Sequence, residues 1–215
     1  MKIRLQPIRV FCMHHVCAEF DAESMNRWDW MNIDEFKAKV RSLQLEGIEF
    51  ISLSDAYQHI CSECIRTRRY AVLTFDDGYT SLKEVLQWLG EQHIPVTLFI
   101  NGKYLDGKSY RKNPKERYLI KDELFALTSP LIEIANHGWE HTRVTDMTDD
   151  DFDKSVDLCT SLLSQHPNYI PFWAYTYGTH TRHTDEFLGQ KGLIPVYIDG
   201  AANYNDKTQI QRELL

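Results

Sequence analysis

The sequence predicts an α/β protein in which parallel strands form a barrel with helices outside, and three observations carry that prediction. Short apolar runs of strand length alternate with amphipathic stretches of helix length along the chain. The residues best suited to chemistry fall at the ends of the apolar runs, where such an architecture places its active groups. A chain of 215 residues, without repeats or low-complexity linkers, suits one domain of this kind spanning 1–215.

Taken in order, Ile8–Met13 is the first strand-like run, rich in β-branched and large apolar residues. Ile33, Phe36, Val40 and Leu43 then form one stripe at helical spacing, with charged residues opposite. Phe50–Leu53 reads as a strand and Asp55–Ile65 as an amphipathic helix. After the run Tyr70–Phe75, Ser81-Leu82-Lys83-Glu84 has the pattern of a capping box opening a helix. Pro95–Ile100 and Leu131–Ala135 are the next strands. A second capping box, Thr148-Asp149-Asp150-Asp151, precedes Phe152, Val156, Cys159 and Leu163 on one face. Tyr169–Ala174 and Leu193–Ile198 complete the strand-like runs.

Charge and cysteine usage narrow the function. A net charge of −7 and a pI near 5.7 argue against bulk nucleic-acid binding. Met1-Lys2-Ile3-Arg4-Leu5 lacks the apolar core of a signal peptide, and no run approaches a membrane span. Five cysteines, an odd number, point to a reducing cytoplasm. Cys61-Ser62-Glu63-Cys64 is a C-x-x-C that Cys12 and Cys17 would complete as a zinc site. The helical pattern over the same segment is the preferred reading.

Two passages carry the chemistry. Thr74-Phe75-Asp76-Asp77-Gly78-Tyr79 puts adjacent carboxylates at the end of a buried strand, just before a turn. Neighbouring strand side chains point to opposite faces, so the two carboxylates can take different roles. Burying both is costly unless a cation or a reacting proton accounts for them. His137-Gly138-Trp139-Glu140-His141 sets two imidazoles at i and i+4, which on a helical turn share one face, as two ligands of one divalent metal must. Either passage alone is a common structural feature. Together they propose a metal held by Asp and two His, with a second Asp left for proton transfer.

These passages resemble the motifs of the polysaccharide deacetylase superfamily, metal-dependent amide and ester hydrolases acting on sugars. Its first motif, T-F-D-D-G-Y, stands intact at Thr74–Tyr79. Its second, H-[ST]-x-x-H, is similar to His137–His141, with Gly138 in the small polar position. Its third, F-x-Y-P-Y-G, resembles Trp173-Ala174-Tyr175-Thr176-Tyr177-Gly178, with Thr176 replacing proline. Upstream, Val10–Val16 is similar to the "hydrophobic run, Tyr-His-x-Val" opening of one branch, and Gly47–Leu53 to a stretch that follows it there.

The resemblance implies an incomplete, distorted (β/α) barrel of about seven strands. It implies Asp77, His137 and His141 as metal ligands, Asp76 as general base and the Tyr177 N–H as an oxyanion donor. Zinc is the ion this donor set suits. Two expected residues are absent: the third-motif arginine that would orient Asp76 falls at Ala174, and no Leu-x-His motif follows Tyr197 to supply a general acid. His14, at the end of the first strand, is the candidate for that acid. Tyr175, Trp139 and Arg111 are candidate substrate contacts.

The expected activity is removal of N-acetyl groups from an amino sugar of a polysaccharide or its cytoplasmic precursor. Two rivals stand beside it: hydrolysis of another small amide, such as a formamide or cyclic ureide, and glycan binding by a pseudoenzyme that keeps the metal. The stretch Asn101–Lys121 carries seven Lys and Arg against Asp106 and Glu116, with Tyr104, Tyr110 and Tyr118 interleaved. It is expected either as a solvated loop or as the receiver of an anionic, nucleotide- or lipid-diphosphate-linked sugar.

Overall fold

Strand β5 (Arg69–Phe75) is fully buried from Ala71 onward and organises the molecule. Its apolar, β-branched sequence suits a parallel strand covered on both faces. The computed structural model describes residues 6–62, 67–111, 113–198, 203 and 210–215. On one side β5 pairs in parallel with β1 (Ile8–Met13), from Ile8↔Tyr70 to Met13↔Phe75. A short parallel pair, β2 (His15–Cys17) and β3 (Trp30–Asn32), leads into helix α1 (Ile33–Leu45). Strand β4 (Ile48–Phe50) pairs with the first three residues of β5, and α2 (Leu53–Cys61) connects the two.

Beyond β5 the chain alternates helix and parallel strand. Helix α3 (Lys83–Glu91) leads to β6 (Val96–Ile100), and the short α4 (Lys121–Phe125) to β7 (Ile132–Asn136). Helix α5 (Asp149–Leu163) leads to β8 (Tyr169–Ala174), and α6 (Arg182–Gln190) to β9 (Ile194–Ile198). The last strand, β10 (Ile210–Leu214), pairs with β9 and returns to β1, closing seven parallel strands into a barrel. The expected barrel of about seven strands is therefore the observed one, with one exchange of members. The strand near residue 50 lies outside the ring, and β10, absent from the predicted set, completes it.

Strand alternation decides what lies inside. Val10, Val72, Phe99, Ala135, Phe172, Val196 and Ile210, one from each ring strand, form the interior cluster. Leu53, Ala56 and Ile60 of α2 pack against it. Glu133, on the interior register of β7, accepts the Leu53 N–H at 2.9 Å and the Thr97 hydroxyl at 2.9 Å. A buried carboxylate at a helix N-terminus is stabilised by the orphan N–H groups there. The opposite faces of the strands meet the outer helices through Phe36, Val40, Phe152, Val156 and their neighbours.

Two local expectations are revised. Ser52 caps α2 by accepting the Asp55 N–H, so Leu53 opens the helix rather than ending a strand. Helix α3 starts at Lys83 without a side-chain cap; Ser81 instead hydrogen-bonds His15 Nδ1 at 2.9 Å. Cys64, and with it the expected C-x-x-C site, lies outside the described residues, as does the end of the helix expected over 55–65. Cys12, Cys17, Cys61 and Cys159 are free thiols. Thr148 caps α5 as expected, accepting the Asp151 N–H at 3.2 Å. Among the described residues no helix is long and apolar enough to cross a membrane.

Candidate active site

Asp76 and Asp77 follow directly on β5. The Asp76 N–H still donates to the Met13 carbonyl, extending the pairing with β1 and aiming Asp76 into the barrel mouth. Asp77 and Gly78 then take left-handed backbone, φ 71° and 79°. A Cβ on Gly78 would lie 2.8 Å from Ile100 Cδ1, so both turn and space require glycine. This sharp turn lets two consecutive carboxylates face the same mouth.

His137 and His141 come from the loop after β7, and their convergence is not helical. Residues 137–141 form an irregular bend with Gly138 at φ +89°. That conformation accounts for glycine where the family motif has Ser or Thr. The loop is strapped to the one after β6: Asn101 donates to the His137 carbonyl at 2.5 Å, and the Lys103 N–H to the Trp139 carbonyl at 2.9 Å.

The donor set fits a divalent metal. Ligand atoms of Asp77, His137 and His141 lie within 4.8 Å of one another, all buried. His137 Nδ1 lies 2.8 Å from the Ala174 carbonyl, which can only accept, so the proton sits on Nδ1 and Nε2 offers a lone pair. That Nε2 faces Asp77 Oδ1 at 3.5 Å, and His141 Nε2 faces it at 3.2 Å. Both Asp77 oxygens are buried without a hydrogen bond among the described residues. Burial holds the His141 pKa down to about 3, against the opposing pull of Asp77. Two imidazoles around a buried carboxylate that accepts no hydrogen bond are a site for a cation.

Asp76 is held apart from this trio by a residue the sequence reading did not single out. Arg212, on β10, donates to Asp76 Oδ1 at 2.6 Å and to Oδ2 at 2.9 Å. The Cys12 thiol also donates to Oδ2, at 3.4 Å. Burial alone would raise the Asp76 pKa, but Arg212 and His137 outweigh it and keep the carboxylate far below its usual range. The sequence signal for Arg212 is slight, an Ile-x-Arg-x-Leu alternation that puts Arg212 on the interior face with Ile210. His14, two residues beyond Cys12 on the same face of the chain, brings a ring nitrogen within 4.8 Å of an Asp76 oxygen.

The remaining expected residues divide. Tyr177 takes φ 56°, ψ 12°, unusual for a non-glycine residue. Its ring meets the His141 ring edge-on at 4.5 Å, which brings the third motif to the candidate metal ligands. Arg111 turns inward, with Nη1 3.3 Å from both His141 nitrogens and 3.6 Å from Asp77 Oδ2. Trp139 lines a cavity of about 370 Å³ together with Glu140, Asp146 and Lys154. Tyr175, an expected substrate contact, is buried and donates to Asp185 Oδ1 at 2.8 Å. Tyr104 and Tyr118 are likewise buried and stacked on each other, with Tyr118 also stacked on Tyr79, which leaves Tyr110 as the exposed tyrosine of the basic loop. Lys103 and Lys115 in that loop pair with Glu140 and Glu23; Lys112 lies outside the described residues.

Residues 65–196 match the family described as polysaccharide deacetylase, and the chain belongs to that family. No curated protein matches the sequence. Among solved structures, IcaB from Ammonifex degensii is similar at a TM-score of 0.80 and 20% identity, over 98% of this chain and 93% of that one. PplD of Streptococcus pyogenes, solved with acetate, is similar at 0.79 and 17% identity, over 99% and 93%. A de-N-acetylase from Aggregatibacter actinomycetemcomitans is similar at 0.78 and 15% identity, over 98% and 95%.

Proposed function

We propose that the protein is a metal-dependent N-deacetylase acting on an amino sugar of a polysaccharide or of its cytoplasmic precursor. The observation that carries this reading is the division of labour between adjacent carboxylates. Asp77 faces two imidazoles and accepts no hydrogen bond among the described residues, while Asp76 is kept ionised and oriented by Arg212. The names of the structural neighbours point the same way, one being a de-N-acetylase and another a deacetylase solved with acetate. The four free thiols suit a reducing compartment.

Asp77, His137 and His141 would hold the ion, with zinc favoured by two nitrogen donors and one oxygen. When bound, such an ion lowers the pKa of a water toward about 7 and polarises the acetyl carbonyl. Asp76 accepts the proton of the attacking water, and its fixed orientation spares it reorganisation during the step. The Tyr177 N–H stabilises the oxyanion, a contact of a kind worth roughly 3–4 kcal/mol. His14 returns a proton to the departing amine, so that acetate and a free amino sugar leave. Arg111, which lies beside Asp77 and His141, would meet an anionic group on the substrate.

Arg212 bears on the pseudoenzyme reading. A binder that only kept the metal has no use for a second buried carboxylate held by a bidentate arginine. The test is acetate release from N-acetylated oligosaccharides and nucleotide sugars by protein stripped with a chelator and then reloaded with zinc. Release that needs zinc and Asp76 is expected. A zinc-loaded protein that binds these compounds and releases no acetate sinks the enzymatic reading, and release of formate from formamides alone transfers the activity to the small-amide rival.

A further inference from the structure

Trp28 is 93% exposed, an unusual state for the largest apolar side chain. It sits on a single helical turn (Arg27–Asp29) between β2 and β3. This turn is braced from several sides. Asn26 Oδ1 accepts the Trp28 N–H at 3.2 Å. The Arg27 guanidinium lies over the rings of Trp30, at 4.6 Å, and Phe20, at 5.2 Å. Trp30 is in register with His15 across the β2–β3 pair. Upstream, Glu23 is tied to the basic loop by Lys115 and by Asn113. The backbone that carries the exposed indole is therefore braced by its neighbours.

A cavity of about 130 Å³ is lined by Trp28 and, from the first strand, by residues that neighbour Asp76. Its lining includes Asp29, Leu214, Cys12 and His14, and the last two approach Asp76. Leu214 is 69% exposed, so the rim carries a second apolar side chain. An indole, an exposed aliphatic and a carboxylate beside one small cavity match a pyranose, which presents an apolar C–H face and a rim of hydroxyl donors.

Resting on the N-deacetylase reading of the neighbouring centre, we propose that Trp28 and this cavity form a sugar subsite. It receives the residue next to the one whose acetamide reaches Asp76, the ring stacking on Trp28 and its hydroxyls turned toward Asp29. The site then selects a chain of sugars over a monosaccharide, since a single acetylated ring occupies the catalytic centre and leaves Trp28 bare.

The test compares N-acetylglucosamine with its β-linked pentamer on the zinc-loaded protein, reading acetate release and, independently, quenching of tryptophan fluorescence. Trp28→Ala should raise KM and Kd for the pentamer about tenfold, and less than twofold for the monomer. Trp28→Phe should recover most of the loss, since it restores a ring. Trp28 contributes nothing to the core, so zinc content and the circular dichroism spectrum should match wild type. Equal pentamer affinity in wild type and Trp28→Ala overturns the subsite, and an indole serving a protein partner gives that result. A wild type that binds pentamer no better than monomer overturns it too. Pentamer binding that depends on Trp28, in a protein that releases no acetate, upholds the subsite and defeats the enzymatic reading instead.

Discussion

Arg212 meets Asp76 through two N–H···O bonds of 2.6 and 2.9 Å across 136 positions of sequence. The pair is buried, at 1% and 4% side-chain exposure. Barrel closure creates it: β10 pairs with β1 beside β5, and both residues point inward by strand alternation. The arginine expected from the third motif is thus replaced in role by one arriving from another strand. At the third motif Ala174 leaves room, and its carbonyl fixes His137 instead.

The fork geometry of this pair is the first thing to test. Arg212→Lys keeps the charge but loses the second hydrogen bond and the planar match to a carboxylate. It should lower kcat by about 10- to 100-fold with little change in zinc stoichiometry. Arg212→Ala strands Asp76 without its cation and should cost about 3–5 kcal/mol of stability, read by denaturant unfolding. If Arg212→Lys turns over at the wild-type rate, the guanidinium is structural only.

The adjacent carboxylates separate by metal content. His141→Ala and Asp77→Asn should lose zinc and activity together, whereas Asp76→Asn should keep zinc and lose turnover by roughly two to four orders of magnitude. Elemental analysis with acetate release decides it. Zinc lost in Asp76→Asn, and kept in Asp77→Asn, would exchange the two assignments.

How far the sequence went follows from what each feature depends on. Six ring strands and helices α1, α3 and α5 are legible because local periodicity determines them, as with Val72 inside and Leu73 outside on β5. The Asp76-Asp77-Gly78 turn was legible because its chemistry is contiguous. Arg212 was not, because a strand with three polar residues in five gives a weak apolar pattern and its partner is fixed only by closure. The burial of Tyr104, Tyr118 and Tyr175 was also hidden, since alternating tyrosines and lysines read equally well as a surface. The geometry of His137 and His141 depends on Gly138 and Asn101, not on the helix their spacing suggested.

Arg111 places a positive charge against Asp77 and His141, proposed ligands of a dication, and should weaken the binding of that ion. Arg111→Gln should therefore tighten zinc several-fold in competition with a chelator. The same change should raise KM for an anionic nucleotide sugar and flatten its dependence on salt. Unchanged zinc affinity and an unchanged salt slope together would remove Arg111 from the site's electrostatics.

His15 supplies a pH dependence of stability. Burial lowers its pKa to about 4, with Asp77 opposing, and it stacks on Tyr79 at 3.8 Å. The folded value lies below the ordinary one near 6.5, so the unfolded chain binds the extra proton. Stability from this group is complete above about pH 6.5 and is lost as pH falls toward about 4, by roughly 3 kcal/mol. His15→Gln keeps a partner for Ser81 and should remove that part of the acid lability. An identical pH profile of unfolding in the variant would show that His15 is not its source.

On the proposed mechanism the departing amine needs a proton, and His14 is the proposed donor. Its ring reaches the Asp76 carboxylate group from the end of β1, on the same mouth as His137 and His141. Aryl acetates leave as stable phenolates and need no such proton, whereas an amide's amine does. His14→Ala should therefore lower kcat on N-acetyl sugars by about 100-fold or more and on 4-nitrophenyl acetate only slightly. His14 also borders the cavity beneath Trp28, so a purely binding role would raise KM for oligosaccharides and leave their kcat intact. Equal losses of kcat on amide and ester would instead make His14 a group that shapes the mouth, and would move the search for the acid to another side chain.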